Sequence, residues 1–334
     1  MLAGRILIVD LKPNELVDDI FALQNCQLGK TRGGKPYLKC LLGDRSGRTP
    51  GRMWNATQKL FDTLPTDGFV HLEGQTQPYQ GEMQIVIHKI CSVEPTDEEL
   101  VDLLPTTKHD IDQMFSEVSQ RLSTIKHPVL AALAQQYLND QDLMKKFRRA
   151  PAAMTIHHAF VGGLLEHTLN VLRLADGFCP LYPQLNREIV LLGLFIHDLG
   201  KCNELTWEMG FAYSEDGQLV GHIARGIVWL QEKAKACASS GTIIPEPILR
   251  VLCHIILSHH GKAEFGALKV PATPEAIAVN LIDNVDAKLQ IALEATGRQA
   301  GPDQQLGGHF TEKVWALDTR LYRPDPTKVS PDGA

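Results

Sequence analysis

The stretch FIHDLGK, Phe195–Lys201, closes the apolar run IVLLGLFI with a His, an Asp and a Leu-Gly-Lys turn. Gly200 stands where a helix built from that run would end. An imidazole and a carboxylate at the end of so apolar a helix are poorly hydrated unless they are paired or bind metal. A second His-Asp dipeptide, His109-Asp110, occurs in TKHDIDQ. It lies in a polar run at the start of a helical pattern, where Asp110 suits an N-cap, and only His127 is near it. The dipeptide means nothing by itself; its surroundings make His197-Asp198 a candidate site and His109-Asp110 a cap.

Eight of the 13 His fall between His157 and His260. His167 lies in GGLLEHTLNVL, after Gly162-Gly163. His222 opens GHIARGIVWL, His259 and His260 end RVLCHIILSHH before Gly261, and Asp283 sits within the apolar VNLIDNVDAK. Neutral imidazoles and carboxylates together suit Mn²⁺, Fe²⁺, Zn²⁺ or Ni²⁺. One carboxylate can bridge two such ions, and an ion pair can clamp both oxygens of an in-line phosphoryl displacement. Lys201, just past the helix end, is placed to add charge beside a phosphate, and Arg225, one turn after His222, is a second such cation. His157 and His158 are open between phosphate contact and helix cap. Asp286, one turn past Asp283, is open between supporting a ligand and facing solvent. His254 reads as a core or surface residue, and Cys202 has no Cys-His-Asn arrangement around it.

Working outward, residues from about 107 onward read as helices at 3–4 spacing, apart from a short hairpin pattern in WEMGFAYSEDGQLV. Residues 17–93 read as five strands punctuated by glycine turns, with one helical patch, NATQKLFDTL, between the third and fourth. That is the layout of an OB barrel. In MQIVIHKI the alternation puts Met83, Ile85, Ile87 and Lys89 on one face and Gln84, Val86, His88 and Ile90 on the other. The expected organisation is an all-β OB-fold domain over 1–95, a linker with a short helix over 96–106, an all-α domain over 107–320 and a polar tail over 321–334. In the linker, acids at 97–99 suit a helix start and Pro105 its end.

The net charge of −6 is uneven. Residues 30–59 hold eight basic side chains (Lys30, Arg32, Lys35, Lys39, Arg45, Arg48, Arg52, Lys59) against the single acid Asp44. A basic stretch interleaved with rings suits single-stranded nucleic acid, where charges track phosphates and rings stack on bases. Tyr37, Lys39, Arg52, Trp54 and Tyr79 are the candidates. Seven scattered Cys with no C-x-x-C pair speak against a disulfide framework or a thiolate zinc site. With neither a signal-type N-terminus nor an apolar span of 18 residues, the expectation is a cytoplasmic protein without membrane contact.

The order H…HD…H…HH…D on successive helices resembles the HD-domain phosphohydrolases over residues 150–290. The resemblance implies metal ligation by His167, His197, Asp198, His222, His259, His260 and Asp283, with Asp198 bridging two ions. The chain over 15–320 resembles the YhaM-type 3′→5′ exoribonucleases, through GKPYLKCLLGDRSGR and MWN in the barrel and HHAFVGGLLEHT, FIHDLGK, GHI, SHHG and IDNVDAK beyond it. That family implies hydrolysis of single-stranded RNA, and in some members single-stranded DNA, from the 3′ end by a metal-bridging hydroxide. His167, His197, Asp198 and Asp283 alone would make a mononuclear site, and the additional His222, His259 and His260 favour two ions; Mn²⁺ is the first expectation, and Fe²⁺, Ni²⁺, Zn²⁺, Co²⁺ and Mg²⁺ suit the same donors. Asn280 stands where the family pattern leads one to expect His. Two rivals remain at this level: an HD enzyme acting on a small nucleotide or cyclic dinucleotide, and a non-catalytic nucleic-acid-binding protein. Oligomeric state is open, with a homo-oligomer compatible.

Overall fold

The computed structural model describes residues 5–31, 33–65, 68–79, 82–153, 158–207, 212–296, 309–324 and 327. The chain forms two compact units, Met1–Lys108 with Leu205–Glu215, and His109–Glu204 with Asp216–Ala334. No helix among the described residues is long and apolar enough to cross a membrane.

The first unit is built on β1 (Leu16–Lys30), β2 (Pro36–Asp44), β3 (Gly47–Trp54), the short helix α1 (Gln58–Phe61), β4 (Gly68–Tyr79) and β5 (Glu82–Val93). The strands close into a barrel in the order β1-β2-β3-β5-β4, with β3 and β5 parallel through Gly51↔Ile85 and Arg52↔Val86. Five strands, closure through a long β1 and a helix between β3 and β4 make the OB architecture expected from the turn pattern. The barrel is filled by alternating inward residues, among them Phe21, Leu23, Leu38, Leu42, Leu72, Ile85 and Ile87.

The alternation fails at one point. Gly74 faces Ile87 but Glu73 faces Lys89, so His88 is an extra residue in β5. Such a bulge reverses the faces beyond it, and Ile90 joins Ile85 and Ile87 in the core instead of lying opposite them. A second irregularity, between Gln24 and Gln27 of β1, contains Asn25 at φ 51°. It lets a 15-residue strand bend far enough to pair with both β2 and β4. Helix α2 (Asp97–Leu103) starts from a Thr96/Glu99 capping box and packs on β1 and β2.

The second unit is mainly helical. It contains α3 (Ile111–Ser123), α4 (Pro128–Leu138), α5 (Gln141–Arg149), α6 (Gly163–Phe178), α7 (Arg187–Ile196) and α8 (Lys201–Glu204). The hairpin β6 (Leu205–Thr206)/β7 (Ala212–Tyr213) lies in the Leu205–Glu215 segment that groups with the first unit; after it follow α9 (Glu215–Leu219), α10 (Gly221–Ser239), α11 (Glu246–Ser258) and α12 (Pro274–Thr296). A second hairpin, β8 (Phe310–Val314) with β9 (Thr319–Tyr322), packs on α12 and carries the ordered chain past residue 320, into the segment expected as a tail. Asp110 caps α3, its carboxylate accepting the Gln113 N–H at 2.8 Å.

Helix α7 is the centre of this unit. Asn186 caps its start by accepting the N–H groups of Glu188 and Ile189, and every residue from Val190 to Ile196 is buried. It packs against α4, α6, α11 and α12. Phe195 meets Tyr137 and Phe147 edge-on, with ring centroids 6.0 and 5.8 Å apart. This packing delivers His197 and Asp198 to the interior. Phe195→Ala should remove about 3–5 kcal/mol of stability, read as a lower urea midpoint. An unchanged midpoint would mean that α7 is not the packing centre.

Candidate metal centre and nucleic-acid interface

The last turn of α7 cannot satisfy its own carbonyl groups, and His197 and Asp198 occupy that point. The chain must turn sharply there. A Cβ on Gly200 would lie 2.0 Å from the His222 carbonyl oxygen, so only glycine lets the turn press against the start of α10. His197 is fully buried and Asp198 is 4% exposed.

Asp198 faces two sets of donors. Its Oδ2 lies 3.5 Å from His197 Nε2 and 3.9 Å from His167 Nε2. His167 Nε2 is 3.3 Å from Asp283 Oδ1 and 3.4 Å from His197 Nε2. Its other oxygen, Oδ1, lies 3.4 Å from His259 Nε2 and 3.7 Å from His222 Nε2. His222 Nε2 in turn is 3.1 Å from His260 Nε2. Among the described residues three groups have metal-compatible geometry: His167, His197 and Asp283 on one side of the centre, Asp198, His222, His259 and His260 on the other, and His158, His167 and Asp286 behind the first. The structure therefore brings together all seven residues singled out as ligands.

The donor chemistry fits a cation. Asp198 Oδ1 and His259 Nε2 are buried and face each other at 3.4 Å without forming a hydrogen bond there or elsewhere, which is costly in an otherwise satisfied interior. Burial opposes a charge on His167, yet Asp283 and Asp286 on either side raise its pKa to about 10. That half of the centre thus draws positive charge into the interior. On the other side, burial and then the neighbouring imidazole of His259 lower His260 to about 3, and burial lowers His259 as well. Their nitrogen lone pairs stay free for a metal. Burial works against ionisation of Asp198, but the Lys201 ammonium and the His197 ring outweigh it and hold the carboxyl well below the usual range.

The ring nitrogens that face away are tethered. His167 Nδ1 meets Asp286 Oδ2 at 2.7 Å, and His222 Nδ1 meets Glu204 Oε2 at 2.8 Å. His197 Nδ1 meets the Leu194 carbonyl at 2.7 Å and His259 Nδ1 the Ile256 carbonyl at 2.8 Å. Such partners fix the tautomer that aims Nε2 at a metal. Glu204 and Asn170, whose amide donates to Asp286 at 3.1 Å, were missed by the sequence reading. Asn170 is one turn from His167, a spacing that places both on one helix face. Glu204 has no comparable signal, because its partner is 18 residues away.

The remaining candidates are placed as follows. Lys201 donates to Asp198 Oδ2 at 2.7 Å. Arg225 forms a two-pronged ion pair with Asp216. His158 is buried, with Nε2 3.0 Å from Asp286 Oδ2 at the back of the centre; His157 lies outside the described residues. Asn280 donates to the His259 carbonyl at 2.6 Å, so it supports the outer side of the cluster even though it is not a His. His254 accepts the Ala272 N–H, and Cys202 is a buried thiol whose pKa burial raises.

In the barrel, Tyr37 pairs with Trp54 and Lys39 with Arg52 across β2 and β3. The Tyr37 and Trp54 rings are 5.6 Å apart, and the Arg52 guanidinium lies over Tyr79, 5.0 Å from its centroid. Trp54 and Tyr79 are about half exposed, whereas Phe69 is core. All five residues chosen for nucleic-acid contact thus gather outside the barrel core, on and beside the β2–β3 face. Arg32 of the basic stretch lies outside the described residues.

Comparison with known proteins agrees with this picture. The HD domain family model matches residues 164–288. The chain is 33% identical over 312 residues to the 3′-5′ exoribonuclease YhaM of Bacillus subtilis (strain 168), covering 93% of this chain and 95% of that protein. It is 33% identical over 315 residues, with the same coverage of both, to the 3′-5′ exoribonuclease YhaM of Bacillus pumilus (strain SAFR-032). The second OB-fold domain of replication protein A from Methanococcus maripaludis aligns with 27% of this chain and 96% of its own, at 18% identity and a TM-score of 0.21. The helical unit is thus a metal-dependent phosphohydrolase of the HD class. The whole chain, barrel included, belongs to the YhaM family of 3′-5′ exoribonucleases.

Asp198 is the residue that faces both clusters, so divalent metal held at either should depend on it. Asp198→Asn, which keeps the shape and removes the charge, should strip bound divalent metal during dialysis. Its effect on affinity should exceed the roughly 10–100-fold that loss of an outer partner costs. Wild-type metal content in this variant, measured by elemental analysis, would contradict the arrangement.

Proposed function

We propose that this chain removes nucleotides from the 3′ end of single-stranded RNA, using two divalent ions, Mn²⁺ first, held by His167, His197, Asp198, His222, His259, His260 and Asp283. The observation that carries the reading is the buried Asp198 carboxylate, whose two oxygens face separate imidazole groups. Ions bound there supply Lewis acidity toward the scissile phosphate and activate the attacking water.

The protein's own groups then divide the work. Asp198 joins the two halves and fixes their spacing. Lys201, above its ordinary pKa because the Asp198, Asp283 and Glu204 carboxylates outweigh its burial, supplies a permanent positive charge beside the phosphate. Arg225, preset by Asp216, is a second cation one turn from His222. The attack is direct, without a covalent enzyme intermediate, since among the described residues the buried Cys202 and Ser258 have no general base paired with them, Ser258 donating to the His254 carbonyl. In the barrel, Tyr37, Trp54 and Tyr79 stack on bases while Lys39 and Arg52 hold phosphates. Stacking tolerates any sequence, as a processing exonuclease requires.

With Mn²⁺, a 5′-labelled RNA oligomer should yield a ladder that shortens from the 3′ end. Intact RNA alongside hydrolysis of a cyclic dinucleotide would replace this reading by that of a small-nucleotide enzyme. Trp54→Ala should raise KM for RNA by about 5- to 100-fold, the worth of one stacked base, with little change in kcat. An unchanged KM would remove the β2–β3 face from the RNA path.

A further inference from the structure

Four imidazoles of the centre are held from behind, but the supports differ in kind. His197 and His259 rest on backbone carbonyls, which orient a ring and carry no net charge. His167 and His222 rest on the carboxylates of Asp286 and Glu204. A carboxylate both orients the ring and makes its other nitrogen a stronger donor to a cation. One charge-supported His stands on each side of Asp198: His167 beside Asp283, and His222 beside His260.

The two supports are built differently. Glu204 grips one residue twice: Oε2 meets the His222 ring nitrogen at 2.8 Å, and Oε1 accepts the His222 backbone N–H at 3.2 Å. Ring and backbone are thereby fixed together at the start of α10. Asp286 is instead a hub. Its Oδ2 takes both His167 Nδ1 and His158 Nε2, and its Oδ1 takes the Asn170 amide.

His158 is 1% exposed and holds a φ of 55°, a left-handed conformation that a side-chain-bearing residue keeps only where its surroundings enforce it. The surrounding chain enforces it. The Ala152 N–H donates to the His158 carbonyl at 3.1 Å, and a Cβ on Gly163 would lie 2.0 Å from that same oxygen. A strained, buried imidazole aimed at a carboxylate that already holds a ligand is an expensive arrangement unless the carboxylate must not move.

We propose that Asp286 and Glu204 are positioning residues that set the metal affinity of the two halves of the centre separately: Asp286, backed by His158, for the half around His167, and Glu204 for the half around His222. This rests on the metal-dependent reading above. Each carboxylate meets the Nδ1 of its imidazole, the nitrogen opposite the one turned to the cluster, so it acts through that ring.

The test is calorimetric titration of Mn²⁺ alone into the metal-free full-length chain, with circular dichroism as the control for folding. Wild type should show two binding steps. Asp286→Asn, which keeps size and shape, should weaken one step by about 10–100-fold, and Glu204→Gln the other by a similar factor. The double variant should show both losses without added coupling. His158→Gln, a milder change should Asp286→Asn fail to fold, should weaken the same step as Asp286→Asn by a few-fold. For each variant, turnover lost at limiting Mn²⁺ should return at saturating Mn²⁺, which a residue acting in the chemistry would not allow.

The proposal is overturned if both carboxylate variants weaken the same step, if neither shifts Mn²⁺ binding, or if saturating Mn²⁺ restores nothing. Wild type that binds two Mn²⁺ yet leaves RNA intact would defeat the exonuclease reading alone. Wild type that trims RNA while the variants bind Mn²⁺ normally would defeat this inference alone.

Discussion

A carboxylate buried at the end of an apolar helix, with its two oxygens turned toward different imidazole groups, is the constraint around which the helical unit is arranged. Asp198 can be there only because α7 is buried along its length and ends in a turn that Gly200 permits. It stays ionised there because Lys201 and His197 outweigh the cost of burial. One residue just past the end of α7 thereby ties together donors from α6, from the start of α10, from the end of α11 and from α12. No shorter-range arrangement would bring seven ligand-type side chains scattered over more than a hundred residues into one cluster.

Much of this was legible in the sequence, for reasons that differ from place to place. The ligand types were readable because they sit at helix ends or on apolar helices, where polar residues are expensive and their presence needs a reason. His109-Asp110 was separable from His197-Asp198 on the same ground, and its Asp proved to be a cap. The OB topology followed from turn positions and the lone helix between the third and fourth strands. The inward turn of Ile90 was not readable, because a bulge changes register without any distinctive residue. Glu204 was not readable either, since its link to His222 exists only once α8 and α10 are folded together. The same holds for the carbonyls that orient His197 and His259, which are backbone atoms and leave no mark in the sequence. His158 was noticed, but nothing in the sequence shows that its backbone turns left-handed and carries its ring to Asp286.

The barrel adds recognition of a different character. Its aromatic and basic side chains occupy the face formed by β2 and β3 through direct cross-strand pairing, Tyr37 with Trp54 and Lys39 with Arg52. In the proposed reading, rings and cations so arranged meet polymer backbone and base planes, not one particular base. Residues 30–59 are locally basic in a chain whose net charge is −6, so in the proposed reading attraction to nucleic acid is concentrated on that stretch.

Anomalous diffraction at the manganese edge, from crystals of the full chain soaked in Mn²⁺, tests the central claim most directly. The account predicts two peaks flanking Asp198, one among His167, His197 and Asp283 and the other among His222, His259 and His260, with a different Asp198 oxygen turned to each. A single peak, or peaks that leave either Asp198 oxygen without a metal, would contradict it.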